Sequence, residues 1–348
     1  MKNVKVLHIT DFHLRHSSRL YYSTARKLNN GFIRNNFYVN ELSERDFDKK
    51  LFFFDKKKYN KKIIECIENL SPALIVLGHC NRINFETFEY IKRIHPNIKI
   101  AQWYVDSLIP TGPDYNSHLK TFQKYYDFVN CSFVTSDPSS LKFYNKNKKN
   151  IFYIPNPSDL SIDNLKIDMR DNNIYDMFIA ISHGQHRAKL KKFYKDERED
   201  FILNLKNKLP NIIFDNYGIG NTQPIWGDQY FKRLSQSKMA LNLSRGLPFK
   251  WYSSDRISSF IPNGITTFID RATKLDDFFS DNEVVFYKNF NELISLISEL
   301  KNNDDKRKKI GKNGRIKYNT FFNSTIVAKF IFEKTLNLKL SEKYLWEK

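Results

Sequence analysis

Residues Tyr217–Gly264 read YGIGNTQPIWGDQYFKRLSQSKMALNLSRGLPFKWYSSDRISSFIPNG, and this stretch decides the fold. Short apolar runs in and around it, at Ile212–Phe214, Met239–Leu243 and Ile265–Ile269, alternate with amphipathic segments. This alternation is typical of a parallel sheet whose strands are connected by helices. In such sheets ligands bind beyond the carboxyl ends of the strands, so the polar loops of this stretch are the first candidates for a binding site.

The bulk composition indicates a globular, two-domain chain. A length of 348 residues exceeds what one hydrophobic core usually serves, and 41% hydrophobic residues suffice for packed cores. No apolar run approaches the roughly 20 residues of a membrane helix, and the first residues lead into a strand pattern instead of a secretory signal. The three cysteines are widely spaced and resemble neither a disulfide framework nor a zinc site. We therefore expect a cytoplasmic protein.

The formal net charge of +19 is compatible with several partners. Lys and Arg neutralise phosphates, so nucleic acid is one partner to consider. However, the lysines are spread over predicted surface helices such as Lys301–Lys312, which is typical of a compositional bias. A surface that docks on anionic lipid, or one that attracts anionic substrates, explains the same charge.

The strand pattern divides into two halves. The first predicted strands are Val4–Thr10, Leu74–Leu77, Ile98–Trp103, Phe128–Cys131 and Ile151–Ile154; the second set is Met177–Ile181, Ile212–Phe214, Met239–Leu243, Ile265–Phe268 and Val284–Tyr287. Pro155–Asp159 contains two prolines and continues neither strand nor helix, so we take it as the interdomain hinge. The pattern predicts two doubly wound, Rossmann-like α/β domains facing a cleft. Their boundaries are residues 1–155, on the acceptor side, and residues 156–320, with residues 321–348 as helices that pack back on the first domain.

Several segments resemble the CgeB-like glycosyltransferases, a branch of the family 1 type enzymes with GT-B folds. The similar segments of the second half are Tyr217–Gly218, Trp226–Asp228 with Tyr230, Ser237–Ser244, Ser254–Arg256, Asn263–Gly264, and Asp276, Phe278, Phe279, Asp281 and Glu283. In the first half, Arg26–Leu28, Asn30–Arg34 and Ser43–Asp46 also resemble bacterial members of this group. Members often carry Glu three residues after the position of Arg256, where this chain has Ser259. The resemblance implies sugar transfer from a nucleotide-sugar donor, which is a substrate, so that no cofactor is expected.

Candidate donor-binding residues follow the predicted strands of the second half. Arg256 is suited to bidentate phosphate contact, and Ser253 and Ser254 are suited to cap the helix that follows Asp255. His183, Gly184 and Arg187 follow another strand, where a glycine lets the backbone approach a phosphate. The remaining donor-site candidates are Gly218, Asn242, Arg245 and Asp255. Gly218 is equally suited to a tight turn, and the two histidines at 183 and 186 lack a third ligand, so no metal site is predicted.

Candidate catalytic residues follow strands of the first half. An inverting transferase needs a base that removes the proton of the acceptor hydroxyl, whereas a retaining transferase does not. Asp11 and His13 follow the first strand, and Asp106 follows the strand that ends near Trp103. Asp11 has the better position for a base, although an N-cap role fits it equally. His79 is a further candidate beyond Leu77.

These patterns together predict a metal-independent transferase of a hexosyl or related group. Its acceptor would be a saccharide or glycolipid of the bacterial envelope, and its location the cytoplasm or the inner face of the membrane. Two alternatives remain open. One is a basic nucleic-acid-binding protein, and the other is a catalytically degenerate GT-B protein that binds a saccharide without turnover.

Overall fold

The computed structural model describes residues 4–46, 56–112, 114–144, 150–182, 196 and 198–347. Contacts within the chain define two units. The first unit comprises Met1–Pro110, Asp114–Asp159 and Phe321–Lys348; the second comprises Thr111–Pro113 and Leu160–Thr320.

The first unit is built on a six-stranded sheet in which all strands are parallel. Its strands are β1 (Lys5–Thr10), β2 (Tyr38–Ser43), β3 (Leu74–Leu77), β4 (Lys99–Tyr104), β5 (Cys131–Val134) and β6 (Ile151–Tyr153), in the order β2-β1-β3-β4-β5-β6. Its helices up to residue 123 are α1 (Thr24–Arg34), α2 (Lys56–Leu70), α3 (Phe85–Ile94) and α4 (Tyr115–Gln123). Every residue of β3 is buried, as expected for a strand covered by helices on both faces.

The second unit contains a five-stranded parallel sheet. Its strands are β7 (Tyr175–Ala180), β8 (Phe214–Tyr217), β9 (Ser237–Leu241), β10 (Thr266–Asp270) and β11 (Val285–Tyr287), in the order β11-β10-β9-β7-β8. The helices are α5 (Glu199–Lys208), α6 (Gly227–Ser235), α7 (Ile257–Phe260), α8 (Phe290–Lys301) and α9 (Asp304–Phe321). Two such sheets, each with a reversal of strand order, confirm the predicted class of two doubly wound α/β domains.

Two predicted strands lie elsewhere, and one strand was not predicted. Phe128 ends a 3-10 turn and stacks on Phe85 and Phe88, so the strand begins only at Cys131. The strand predicted at Ile212–Phe214 begins at Phe214 instead. The edge strand β2 was missed because its sequence, YVNELS, has no apolar run and only one fully buried residue.

The chain leaves the first unit and returns to it through two neighbouring segments. The Ser158 amide donates to the Phe322 carbonyl (3.1 Å), and the Ser324 amide donates to the Ser158 carbonyl (2.7 Å). Arg34 of α1 forms an ion pair with the buried Asp159 (2.5 Å). After this crossing, helix α10 (Ser324–Thr335) packs along α1 in the first unit.

Gly31 permits this close packing of α10 on α1. A Cβ atom at position 31 would lie 2.0 Å from the Ser324 carbonyl oxygen, a distance that real Cβ atoms do not adopt. The side-chain amide of Asn35, one turn later, donates to the Thr325 carbonyl (2.8 Å). The first turn of α10 is therefore seated on a backbone surface that only glycine provides.

Helix α9 is the longest in the described part of the chain, at 18 residues, and its surface is strongly charged. Arg315 forms a bidentate ion pair with Asp168, and Lys317 pairs with Glu283.

Across the described ranges, no helix combines the length and the apolar character that crossing a bilayer requires.

A buried histidine lies in the middle of the first core. His8, on β1, is fully buried, and its Nε2 accepts a hydrogen bond from Trp103 Nε1 (3.2 Å). Its Nδ1 must therefore carry the proton, which it donates to Asn29 Oδ1 (3.1 Å). Burial lowers the pKa of His8 to about 4, against the opposing effect of the Asn29 hydrogen bond. The network requires a neutral imidazole.

We predict that this histidine makes the protein sensitive to mild acid. From about pH 6.5 down to about pH 4, unfolded His8 binds a proton that the folded protein excludes, so the free energy of unfolding falls as the pH falls. The loss reaches about 3 kcal/mol for a shift of this size. Urea denaturation at about pH 7 and about pH 5 should show a smaller pH effect in His8→Gln than in the unaltered protein. Equal pH effects in the two proteins would contradict the assignment.

Candidate functional site

Each sheet has one point at which the strand order reverses. In the first sheet the chain passes from β1 to β2 on one side and then to β3 on the other, so the reversal lies between β1 and β3. In the second sheet the corresponding point lies between β7 and β9. Ligands of open parallel sheets bind beyond the carboxyl ends of the strands at such points. A ligand is therefore expected at the loops that follow Thr10 and Leu77 in the first unit, and Ala180 and Leu241 in the second.

In the second unit, a set of hydrogen bonds ties the loop after β9 to the turn before α7. Asn242 Nδ2 donates to Ser253 Oγ (2.8 Å), and Ser254 Oγ donates to Asn242 Oδ1 (3.3 Å). The Ser254 amide donates to Ser244 Oγ (3.0 Å). Neither Ser253 nor Ser254 caps α7, because the N-cap residue is Arg256 and no side chain caps that helix. These polar side chains thus shape the loop by bonding to one another.

Arginine side chains gather beside this loop. Arg256 Nη2 donates to the Leu243 carbonyl (2.6 Å), and Arg198 Nη1 lies 3.4 Å from the same oxygen. Arg198 forms a bidentate ion pair with Asp196 (2.8 Å for both bonds), and both residues are buried. Arg245 follows two residues after Leu243 and lies close enough for its charge to lower the pKa of Asp196. Among the residues that the structure describes, Arg198, Arg245 and Arg256 therefore lie near the carboxyl end of β9, together with the buried carboxylate of Asp196.

The electrostatics of this arginine cluster favour an incoming anion. Burial lowers the pKa of Arg256, and the charge of Arg198 lowers it further, while Asp255 opposes both. Burial raises the pKa of Asp196, but the Arg198 hydrogen bonds and the charges of Arg198 and Arg245 together hold that pKa below its ordinary value. Like charges held together in a partly desolvated place repel one another. An anion that contacts these guanidinium groups would relieve the repulsion.

Trp251 lies in the segment between β9 and α7 and is held there by contacts of its backbone and its ring. Its backbone φ of 60° is left-handed, which is rare for a bulky side chain. The Trp251 amide donates to the Thr273 carbonyl (2.6 Å), the indole Nε1 donates to Asp277 (2.8 Å), and the ring packs on Phe278. These contacts hold the residue in a strained conformation beside Tyr252 and Ser253, as is common in binding loops.

The other donor-site candidates fall into three groups. His183, Gly184 and Arg187 lie outside the described residues. Gly218 has a φ of 75°, and its amide donates to the Thr222 carbonyl (2.9 Å), so it forms the tight turn that was one of its two interpretations. Asp255 is exposed. Sequence reasoning did not identify Asp196 and Arg198, because nothing in the sequence shows that they approach the loop after β9.

In the first unit, Asp11 is held by an arginine. Its side chain is 1% exposed, and Arg15 donates to both carboxylate oxygens (2.7 and 2.8 Å). Burial raises the pKa of Asp11, but the hydrogen bonds and charge of Arg15, together with the interactions with His13, hold that pKa below its ordinary value. A carboxylate in this state is a weak proton acceptor. The geometry thus favours a role for Asp11 in orienting its neighbours over the role of base.

His13 is the neighbour that Asp11 orients. The His13 amide donates to Asp11 Oδ1 (3.0 Å), and His13 Nδ1 lies 3.3 Å from Asp11 Oδ2, without the alignment of a full hydrogen bond. Burial lowers the pKa of His13 to about 4, and Asp11 opposes this effect. His13 also has a left-handed φ of 61°. The imidazole is therefore neutral at physiological pH, with Nδ1 facing a carboxylate.

A second histidine and carboxylate meet at the ends of β3 and β4. His79 Nδ1 lies 3.7 Å from Asp106 Oδ2, and each side chain is about one quarter exposed. The His79 amide donates to Thr10 Oγ1 (3.1 Å), and its ring contacts Trp103 and Tyr104. The charge of His79 also acts on His13, so the two histidines lie near each other at the β1–β3 reversal. Asp106 thus faces His79.

No cluster of three or more His, Cys, Asp or Glu side chains suited to a metal ion occurs among the residues that the structure describes.

Ser259, which stands where the resemblance expects Glu, is buried in α7. Its carbonyl accepts a hydrogen bond from Asn263 Nδ2 (2.8 Å). Position 259 therefore belongs to the interior of the second unit.

Comparison with known proteins agrees with this geometry. Residues 192–332, about two fifths of the chain, match a family model described as "Glycosyl transferase-like". This segment includes the arginine cluster. No curated protein sequence matches the chain.

Solved structures resemble almost the whole chain. One is an α-glucosyltransferase in complex with UDP and a 13-mer DNA containing a central A:G mismatch (12% identity, 95% of this chain and 99% of that chain, TM-score 0.62). Another is sucrose-phosphate synthase from Thermosynechococcus elongatus (11% identity, 95% and 98%, TM-score 0.59). A third is HepE of Anabaena in complex with UDP (11% identity, 96% and 100%, TM-score 0.54).

The chain has the GT-B fold. The segment that is similar to the glycosyl transferase-like model lies mostly in the second unit. The structural similarity shows the fold of this GT-B protein. At identities of 11 to 12% it shows nothing of the chemistry, which must be argued from the residues described above.

Proposed function

We propose that this GT-B protein is a glycosyltransferase that moves a hexosyl or related group from a nucleotide-activated donor to a saccharide or glycolipid. The observation that carries the proposal is the arginine cluster of Arg198, Arg245 and Arg256 around the carboxyl end of β9. It lies inside the segment that matches the glycosyl transferase-like family. Arginine binds phosphate oxygens in bidentate geometry and stays charged, so this cluster suits a diphosphate.

The donor would bind to the second unit, with its diphosphate on the arginine cluster. As the bond between sugar and phosphate breaks, negative charge develops on the leaving diphosphate, and fixed guanidinium groups stabilise that charge. The same charges can replace a divalent cation, so we propose a metal-independent reaction. UDP is the first nucleotide to test, because two of the similar structures are complexes with UDP.

We predict that UDP and a UDP-sugar raise the thermal midpoint of the purified protein in the presence of EDTA, since a ligand that binds only the folded state stabilises it. Arg245→Gln and Arg256→Gln should each weaken UDP binding about 10- to 100-fold, as expected for the loss of a charged hydrogen bond. Lys312→Gln, which removes an exposed charge from α9, should bind UDP as the unaltered protein does. Absence of a shift with every nucleoside diphosphate would overturn the donor assignment.

The acceptor would be activated in the first unit. We assign His13 as the base, with Asp11 as the residue that orients it. If His13 Nδ1–H is directed to Asp11, Nε2 is left as the acceptor of the hydroxyl proton. His79, paired with Asp106, would hold the acceptor hydroxyl. This assignment fits an inverting transfer, in which the acceptor oxygen forms the new glycosidic bond as the diphosphate leaves.

We predict an unusual pH profile from this assignment. Because burial lowers the pKa of His13 to about 4, His13 stays unprotonated, and active, below pH 6. The pH at which kcat/KM decreases on the acid side should therefore lie well below the ordinary histidine pKa of about 6.5. His13→Gln should lower kcat by about 10²- to 10⁴-fold and leave the affinity for UDP unchanged. An unchanged kcat in this variant would exclude His13 as the base and point to a retaining reaction.

We further infer that the acceptor belongs to a bacterial envelope polysaccharide or lipopolysaccharide, and that the enzyme works in the cytoplasm at the inner face of the membrane. The resemblance to CgeB-like enzymes and the net charge of +19 support this part of the proposal. The protein should float with vesicles that contain phosphatidylglycerol, and added salt should reduce flotation. Equal flotation with neutral vesicles would contradict membrane docking.

A second candidate acceptor is DNA. The high net charge favours it, and one similar structure is an α-glucosyltransferase in complex with DNA. Incubation with a labelled donor and either duplex DNA or oligosaccharide acceptors separates the two candidates. Transfer to neither acceptor, in a protein that still binds UDP, would favour the degenerate saccharide-binding alternative.

A further inference from the structure

The two histidine loops of the first unit are both attached to one short acidic turn. This turn, Ser43–Asp46, begins at the end of the edge strand β2 and continues as a 3-10 turn. We propose that it is a two-armed positioning clamp, in which Asp46 holds the His13 loop and Glu44 holds the His79 loop. The inference rests on the proposed function for the meaning of the two histidines. Glu44 and Asp46 are positioning residues in it.

The first arm binds the loop that follows β1. Asp46 is 3% exposed at its side chain, and its two oxygens accept the amides of Leu14 (2.8 Å) and Arg15 (2.7 Å). Ser43 adds to this arm, because its hydroxyl accepts the Phe12 amide (2.9 Å) and donates to Asp46. The amides on both sides of His13 are thereby fixed to the turn. This explains how a non-glycine residue is held at a left-handed φ.

The second arm binds the loop that follows β3. Glu44 is fully buried, and its carboxylate accepts the Asn81 amide (2.9 and 3.0 Å) and the Arg82 amide (3.0 Å). Asn81 is two residues beyond His79, whose own amide is bonded to Thr10. His79 therefore lies between two fixed points, one on β1 and one on the acidic turn.

The choice of acids follows from the nature of these contacts. A carboxylate offers two oxygens that both accept hydrogen bonds, so one side chain can hold two consecutive backbone amides. An amide side chain offers only one acceptor, and its NH2 group would face a backbone donor. Glu44 and Asp46 are two residues apart in one turn, and each holds a different loop. Replacing either acid should loosen one loop and leave the other.

Side-chain NMR of the histidines tests this separation directly. Of the eight histidines, the signals of residues 13 and 79 are assigned with His13→Gln and His79→Gln. In Glu44→Gln the His79 signals and their pH titration should shift while those of His13 stay. In Asp46→Asn the His13 signals should shift while those of His79 stay. Glu41→Gln is the matched control, because Glu41 also lies on β2 but binds Arg26 and Asn29 of α1; it should leave both histidines unchanged.

Two results would overturn the clamp. One is that neither acid variant shifts its histidine; the other is that each variant disturbs both histidines alike, which marks a general loss of structure. If Glu44→Gln does not fold, Glu44→Asp, which keeps the carboxylate but shortens its reach, replaces it with the same expected outcome.

A kinetic experiment adds a second readout and separates this inference from the proposed function. Glu44→Gln should lower kcat about 10-fold, leave UDP affinity unchanged, and have no further effect in a His79→Gln protein. Asp46→Asn should behave in the same way toward His13→Gln. Multiplicative losses in the double variants would contradict the clamp. If no transfer is detected with any acceptor, the proposed function fails, whereas the NMR result still decides the clamp.

Discussion

Every strand of both sheets is parallel, and this constraint decides where the chemistry of the protein can lie. Strands such as β3 are buried along their whole length, so they cannot present polar groups to a ligand. Polar residues inside the sheet are closed into internal networks, as His8 is between Trp103 and Asn29. Only the loops at the carboxyl ends remain, and the reversal of strand order separates two neighbouring loops enough to admit a ligand. His13 and His79 occupy that place in the first unit, and Arg245 follows the strand there in the second.

The two sites differ in the charged groups that they contain. In the second unit, Arg198, Arg245 and Arg256 lie near the carboxyl end of β9 and the buried Asp196 pairs with Arg198, so we propose that an anion binds there. In the first unit, the buried acids are satisfied: Asp11 by Arg15, Asp46 and Glu44 by backbone amides. We propose that these acids hold loops, which leaves the neutral imidazole of His13 as a group able to accept a proton. We propose that the site in the second unit binds a diphosphate and the site in the first unit a hydroxyl, the two groups that take part in transfer from an activated sugar.

The fold was predictable because apolar runs separated by amphipathic helices identify a buried parallel strand. The loops after β1, β4 and β9 were predictable for the same reason, since a strand end is visible as the point where the apolar run stops. The edge strand β2 was not, because its exposed side chains break the pattern. The clamp on β2 was therefore invisible as well, although Ser43–Asp46 stood out in the family resemblance. Asp196, Arg198 and the Arg15–Asp11 ion pair depend on tertiary contacts, which residue spacing does not encode.

The proposed transfer requires that the loop after β9 binds the diphosphate of a nucleotide donor. Hydrogen–deuterium exchange of the whole protein, with and without saturating UDP, measures this most directly, because bound phosphates protect the amides of the loop that holds them. We predict that UDP slows exchange in peptides that cover Asn242–Arg256. Slower exchange elsewhere in the chain, with the loop after β9 unchanged, would contradict it.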